Sequence, residues 1–65
     1  MAEDATKATL YRTRALELRD LAHDIRSRQT RQSLIDVAVT YEDIASSLER
    51  IEETKRALGL LKSSD

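Results

Sequence analysis

A chain of 65 residues contains at most one small domain, and a domain of this size buries only about 60% of the surface that its unfolded chain exposes. The sequence has no Cys and a single His, so neither disulfides nor a metal is expected to stabilise the fold, and association with another chain is the remaining route. The net charge of −1 and the pI near 5.8 argue against a dedicated nucleic-acid-binding protein.

Membrane insertion and secretion are not expected either. No apolar run approaches the ~20 residues that a membrane-spanning helix needs. The first four residues, Met1 to Asp4, end in two acids, whereas a signal peptide begins with basic residues followed by apolar ones. With the absence of Cys, these features predict a cytoplasmic protein.

The first predicted element is a helix at about residues 5–25. The chain has no Pro and one Gly, a composition typical of long helices. Apolar residues recur at alternating steps of three and four, which is the seam of a heptad repeat: Ala8, Tyr11, Ala15, Leu18, Ala22 and Ile25.

The connection is predicted between Arg26 and Thr30, although this stretch holds neither Gly nor Pro. Ser27 is the best candidate for the N-cap of the second helix, because its hydroxyl can accept a hydrogen bond from a backbone N–H of the first turn, and Thr30 is the second choice. A single continuous helix is the alternative, and it would leave both apolar seams exposed.

A second helix is predicted at about residues 28–58. Its seam repeats the same spacing with Leu34, Val37, Tyr41, Ile44, Leu48 and Ile51, and Lys55 interrupts the pattern before Leu58. Gly59 can adopt the left-handed conformation that ends a helix, so residues 59–65 are predicted to form a frayed tail.

The two helices are predicted to pack as an antiparallel hairpin. Residues 7–32 carry seven basic and three acidic side chains, and residues 33–65 carry four basic and seven acidic, so the two halves attract each other. In an antiparallel pair, the numbers of two seam residues that face each other add up to a constant, which defines the register. The heptads allow two registers, with sums of 52 and 59. The first places Tyr11 on Tyr41; the second allows Arg12 to meet Glu49 and Arg19 to meet Glu42.

The apolar surface is wider than one partner helix can cover. The pattern of Ala8, Tyr11 and Ala15 returns thirty residues later, so both helices present alternating small and large side chains. We therefore expect a homodimer that forms a four-helix bundle, or docking onto a larger helical protein. The predicted interface residues are Tyr11, Leu18, Leu21, Ile25, Leu34, Val37, Tyr41, Ile44, Leu48 and Ile51.

Two segments carry a family resemblance: YRTRALELRDLA at residues 11–22 and RQSLIDVAVTYEDIA at residues 31–45. They resemble a family of short uncharacterised bacterial helical proteins that share a pattern close to Y-R-x-R-A-x-E-L-R-x-L-A followed by Y-E-x-[LI]-A. The resemblance covers about half of the chain. Many members carry Asp-Pro where this chain has Ser27 and Arg28, which favours an N-cap there, and the resemblance implies no activity.

No residue pattern predicts catalysis. His23 lies beside Asp24 and three residues after Asp20, but it falls on the solvent face, and one His cannot complete a tetrahedral metal site. The adjacent acids at 42–43 and 52–53 point in directions about 100° apart on a helix. We therefore expect no catalytic residue, no metal and no cofactor.

The predicted function is non-catalytic: a helical protein–protein interaction or oligomerisation module, such as a regulatory or accessory subunit. Both tyrosines are interpreted as seam residues. The alternative is a small nucleic-acid-associated protein that uses the arginine stripe of the first helix, Arg12, Arg19 and Arg26, to follow phosphates. Arginines spaced in this way more often form ion pairs with a neighbouring helix, here the second helix.

Overall fold

The computed structural model describes the backbone of residues 3–63 and the side chains of residues 6–60. Two helices, α1 (Glu3–Asp24) and α2 (Arg28–Ser63), pack along each other and are joined by residues 25–27. The described chain contains no strand. The all-α hairpin is therefore confirmed, and the single continuous helix is not what the chain forms.

The connection is fixed by hydrogen bonds in place of Gly or Pro. The Ser27 hydroxyl accepts a hydrogen bond from the Thr30 N–H at 3.2 Å, so the predicted N-cap of α2 is confirmed. The Ser27 carbonyl accepts from the Arg31 N–H at 2.9 Å, and the Ile25 N–H donates to the Ala22 carbonyl at 3.2 Å. The Arg31 guanidinium also donates to the Ile25 carbonyl at 3.1 Å, which ties the start of α2 to the end of α1.

The line of closest approach between the helices consists of alanines. Among the described side chains the buried ones are Ala8, Ala15, Ala22, Ala38 and Ala45, each at most 2% exposed. Side chains with a single methyl group let two backbones approach closely, and the larger apolar residues border this line without entering it. The hairpin alone therefore buries no large side chain within the described part of the chain.

The predicted seam of the second helix is wrong by one position at Val37 and Ile44, whereas Leu34, Tyr41 and Leu48 are half-buried beside the seam. Ala38 and Ala45 occupy the seam, and the predicted seam residues Val37 and Ile44, each one position earlier, are rotated about 100° away from it. Val37 is 43% exposed and Ile51 is 47% exposed. Close packing on the small residues displaces these branched side chains toward the outside of the hairpin.

The buried alanines separate two different flanks. Residues three and four positions after a helical residue lie on either side of it. Three positions after the alanines stand Tyr11, Leu18, Ile25, Tyr41 and Leu48; four positions after them stand Arg12, Arg19, Arg26, Glu42 and Glu49. In the antiparallel pair, like flanks meet, so the seam is bordered by apolar side chains on one side and by charged side chains on the other.

The structure combines contacts predicted for both registers. The ring centroids of Tyr11 and Tyr41 are 5.6 Å apart, as the sum of 52 requires. The structure also contains the Arg12–Glu49 and Arg19–Glu42 ion pairs that favoured the sum of 59. Helical side chains lean toward the N-terminus of their own helix, so in an antiparallel pair these arginines and glutamates lean toward each other and span the offset.

The second helix does not end at Gly59. It continues through Ser63, and Gly59 has no positive φ. Ala57, Leu58 and Leu60 are strong helix formers on both sides of the glycine, and they carry the helix through it. The tail predicted at 59–65 is therefore wrong as far as Ser63, and residues 64–65 lie outside the described part.

Candidate interaction surface

The predicted interface residues lie together on one broad side of the hairpin, which we call the apolar face. It consists of Tyr11, Leu18, Leu21, Ile25, Leu34, Val37, Tyr41, Ile44, Leu48 and Ile51. Leu21, Val37 and Ile51 are exposed, and the other seven are half-buried. Both helices contribute, so the face is two helices wide.

The tyrosine pair occupies the middle of the apolar face. The two rings are tilted by 51°, an arrangement that aromatic pairs favour over face-to-face stacking. Tyr11 and Tyr41 are both half-buried, so each ring packs across the alanine seam and still presents part of its surface outward. The pair therefore connects α1 to α2 and also forms the central part of the apolar face.

The opposite side, which we call the charged face, carries a ladder of two ion pairs. Arg19 forms a fork with Glu42, with Nε 3.0 Å from Oε2 and Nη2 2.8 Å from Oε1. One heptad away, Arg12 makes the same two bonds to Glu49, and its Nη2 lies 3.5 Å from the Ser46 hydroxyl. Planar two-bond contacts of this kind fix the relative position of the two helices.

The ladder perturbs the ionisation of all four of its side chains. The hydrogen bonds from Arg19 lower the pKa of Glu42 from its ordinary value of 4.5, and the hydrogen bonds from Arg12 lower the pKa of Glu49 likewise. The same bonds raise the pKa of both arginines. These shifts have a structural cause, the pairing of two helices, and none of them generates an acid or base near neutral pH.

The arginine stripe of α1 is largely committed to this ladder. Arg12 and Arg19 face carboxylates of α2, whereas Arg26 lies in the connection, where the same heptad step would place it opposite Ile35. Near the connection, Arg19, His23 and Arg31 border a shallow groove of the charged face.

The described residues do not assemble a metal site or a membrane span. The His23 side chain is exposed. Between residues 6 and 60, no three His, Cys, Asp or Glu side chains come close enough together to hold a metal ion. Neither α1 nor α2, over the part that the structure describes, is long and apolar enough to cross a membrane.

Sequence reasoning overlooked three residues that shape this surface. Ala38 and Ala45 could have been identified as seam residues from the repeated Ala-x-x-Tyr spacing, since Ala8 and Ala15 hold the matching places in α1. Arg31 gave no signal, because its bond to the Ile25 carbonyl depends on how the connection folds back.

Comparison with known proteins adds no assignment. No family model matches the chain, and no curated protein or solved structure is similar to it. The resemblance of residues 11–22 and 31–45 to short bacterial helical proteins therefore stays a prediction. What the fold and the surface define is a class of protein: an all-helical hairpin with one apolar and one charged face.

Proposed function

We propose that this protein is a non-catalytic helical interaction module that binds through its apolar face, and that the occupant of this face is a second copy of the chain, forming a four-helix bundle. In this role it would serve as an oligomerisation or accessory subunit. A two-helix-wide apolar face is what half of a four-helix bundle presents.

The observation that carries the proposal is the absence of a large buried side chain in the hairpin. Over the described residues the buried core is five alanines, while Leu21, Val37 and Ile51 remain between 43% and 56% exposed on the apolar face. Burial of large apolar side chains is the main favourable term in folding, at about 25 cal/mol per Å². Covering the apolar face with a second hairpin supplies the burial that one hairpin lacks.

The shape of the hairpin suits an interface that runs along α2. Its longest extent is 59 Å, and it is two helices wide over the 22 residues of α1, about 33 Å. The charged face has the same dimensions, but its ion pairs are already satisfied within the chain.

Nucleic-acid binding is the alternative function. Arg19, His23 and Arg31 border a groove of the charged face, which is the observation in its favour. Against it, Arg12 and Arg19 are held by Glu49 and Glu42, and a phosphate would have to compete with these carboxylates. Binding to DNA or RNA that weakens steeply with salt would support this alternative.

The test measures association with a matched pair of valines. Val37 lies on the apolar face and is 43% exposed; Val39, in the same helix and 42% exposed, lies outside it. Val37→Asp would place an unpaired charge inside the dimer twice, which is strongly unfavourable. We expect light scattering after gel filtration to give a dimer for the parent and for Val39→Asp, and at least a tenfold weaker dimer for Val37→Asp.

A second measurement uses protein concentration. If folding and association are linked, the melting temperature rises with concentration for the parent and for Val39→Asp. A well-folded monomer at about 100 µM, with a melting temperature independent of concentration, would contradict the homodimer. Equal weakening by both aspartates would show that the apolar face is not the contact surface.

A further inference from the structure

The two helices of the hairpin differ in length. α2 has 36 residues and α1 has 22. Glu52 is the last residue of α2 whose side chain is partly covered, and every side chain from 53 to 60 is exposed. We call residues 53–63, about three helical turns, the overhang.

The apolar face continues onto the overhang. Ile44, Ile51 and Leu58 are seven residues apart and therefore share one side of α2, and Leu58 is 54% exposed. In the half of the hairpin nearer the connection, Leu21 and Val37 of the same face are 56% and 43% exposed. Uncovered apolar side chains thus lie both on the overhang and in the half of the hairpin nearer the connection.

We propose that the two copies associate antiparallel, with α2 against α2 and residue numbers that sum to 92, so that the overhang of each copy covers the connection end of the other. This inference rests on the proposed homodimer and specifies its geometry. It makes the overhang part of the partner's core.

The register follows from the positions of the apolar residues. The first and last residues of α2, 28 and 63, add to 91, so a sum of 92 overlaps the two helices almost completely. At this sum Ile44 meets Leu48, Tyr41 meets Ile51, and Leu34 meets Leu58 of the other copy. Shifting by one heptad to 85 leaves Leu58 opposite Ser27 in the connection, and shifting to 99 leaves Leu34 beyond the end of the partner helix.

Lys55 disfavours the parallel arrangement. It lies between Ile51 and Leu58 on the apolar side of the overhang, so a parallel dimer would set Lys55 beside Lys55 of the other copy. Two like charges held together in an apolar interface repel each other and lose hydration. At the sum of 92, each Lys55 faces Val37, where its alkyl chain can cover the valine while the ammonium reaches solvent.

Disulfide trapping tests the orientation, because the chain has no native Cys. Val37→Cys and Lys55→Cys are prepared separately, mixed, unfolded and refolded together, and oxidised. We expect a mixed disulfide between the two variants and little cross-linking of either variant alone. Asp36→Cys replaces Val37→Cys as the matched control; its side chain points about 100° away, so we expect no mixed disulfide.

A distance measurement covers the case in which a disulfide perturbs the interface. With spin labels at Lys55→Cys, the antiparallel dimer separates the two sites by 18 residues along the helix axis, about 27 Å. The parallel dimer places them about 10 Å apart, the usual interaxial distance. A short distance, or a disulfide between two Lys55→Cys chains, would overturn the antiparallel geometry and leave the homodimer standing. A monomer would instead contradict the proposed function itself.

Discussion

Arg19 and Glu42 are joined across the hairpin by two hydrogen bonds of 3.0 and 2.8 Å, and the pair stands 23 residues apart in the sequence. Arg12 and Glu49 repeat the contact one heptad away. The ladder lies on the side opposite the apolar face, so the ion pairs align the two helices without occupying the apolar face.

The ladder predicts an acid-sensitive component of stability. The pKa values of Glu42 and Glu49 are lowered in the folded chain by their hydrogen bonds to Arg19 and Arg12. A carboxyl with a lowered folded pKa contributes stability above its unfolded pKa, 4.5 for Glu, and loses that contribution as the pH falls through the folded value. We expect urea midpoints, followed by circular dichroism, to decline below about pH 4.5.

The double variant Glu42→Gln, Glu49→Gln should flatten this decline. Glu53→Gln removes a carboxylate from the overhang and serves as the control. We expect this variant to keep the decline of the urea midpoint at low pH. Because the paired side chains are partly exposed, 0.5 M NaCl should shrink the difference between parent and double variant. A parent and a double variant with superimposable pH profiles would show that the ladder does not stabilise the fold.

Replacing a buried alanine of the seam by a larger residue should destabilise the hairpin. Ala15 is completely buried where α1 and α2 approach, so Ala15→Leu forces the helices apart and should cost about 1–3 kcal/mol. For a domain of this size that corresponds to a drop of roughly 4–8 °C in melting temperature per kcal/mol. Ala57→Leu, at an exposed position of the overhang, makes the same change and should leave the melting temperature nearly unchanged. Equal effects at both positions, measured at one protein concentration, would contradict the close approach at Ala15.

The N-cap predicts a smaller loss. Ser27→Ala removes the hydroxyl that accepts the Thr30 N–H and should destabilise the hairpin by about 1 kcal/mol. Ser47→Ala, at an exposed position inside α2, removes a hydroxyl that does not cap a helix end. This variant should be neutral or slightly stabilising, because Ala is the better helix former. Chemical denaturation of the two variants separates the outcomes. A neutral Ser27→Ala would mean that the Arg31 contact alone holds the connection.

The parts of the fold that depend on local chemistry could be predicted from the sequence. The heptad spacing gave two helices, and Ser27 marked the start of α2 because a hydroxyl before a helical run has a local partner. The register with a sum of 59 predicted the Arg12–Glu49 and Arg19–Glu42 ion pairs, and both are present.

The seam of α2 could not be predicted in the same way. A heptad of large apolar residues predicts their burial, yet Ala38 and Ala45 lie between the helices because the facing alanines of α1 allow the backbones to come close. That preference depends on both helices together, so the spacing of one helix does not reveal it. Val37 and Ile44 then move to the apolar face, which is the main reason the face is so broad.

The last prediction concerns Gly59, which the sequence predicts as a helix end and the structure places within α2. Its φ is not positive, and a Cβ added there would meet nothing within 4 Å. Gly59→Ala should therefore replace a poor helix former by the best one, a gain of about 1 kcal/mol in local helix stability. If Gly59 were a left-handed helix cap, Gly59→Ala would instead lower the helix stability, because Ala is strained at positive φ. We expect stronger helical ellipticity at 222 nm and slower amide exchange at residues 58–62; a loss of both would place the end of α2 at Gly59 and shorten the overhang to residues 53–58.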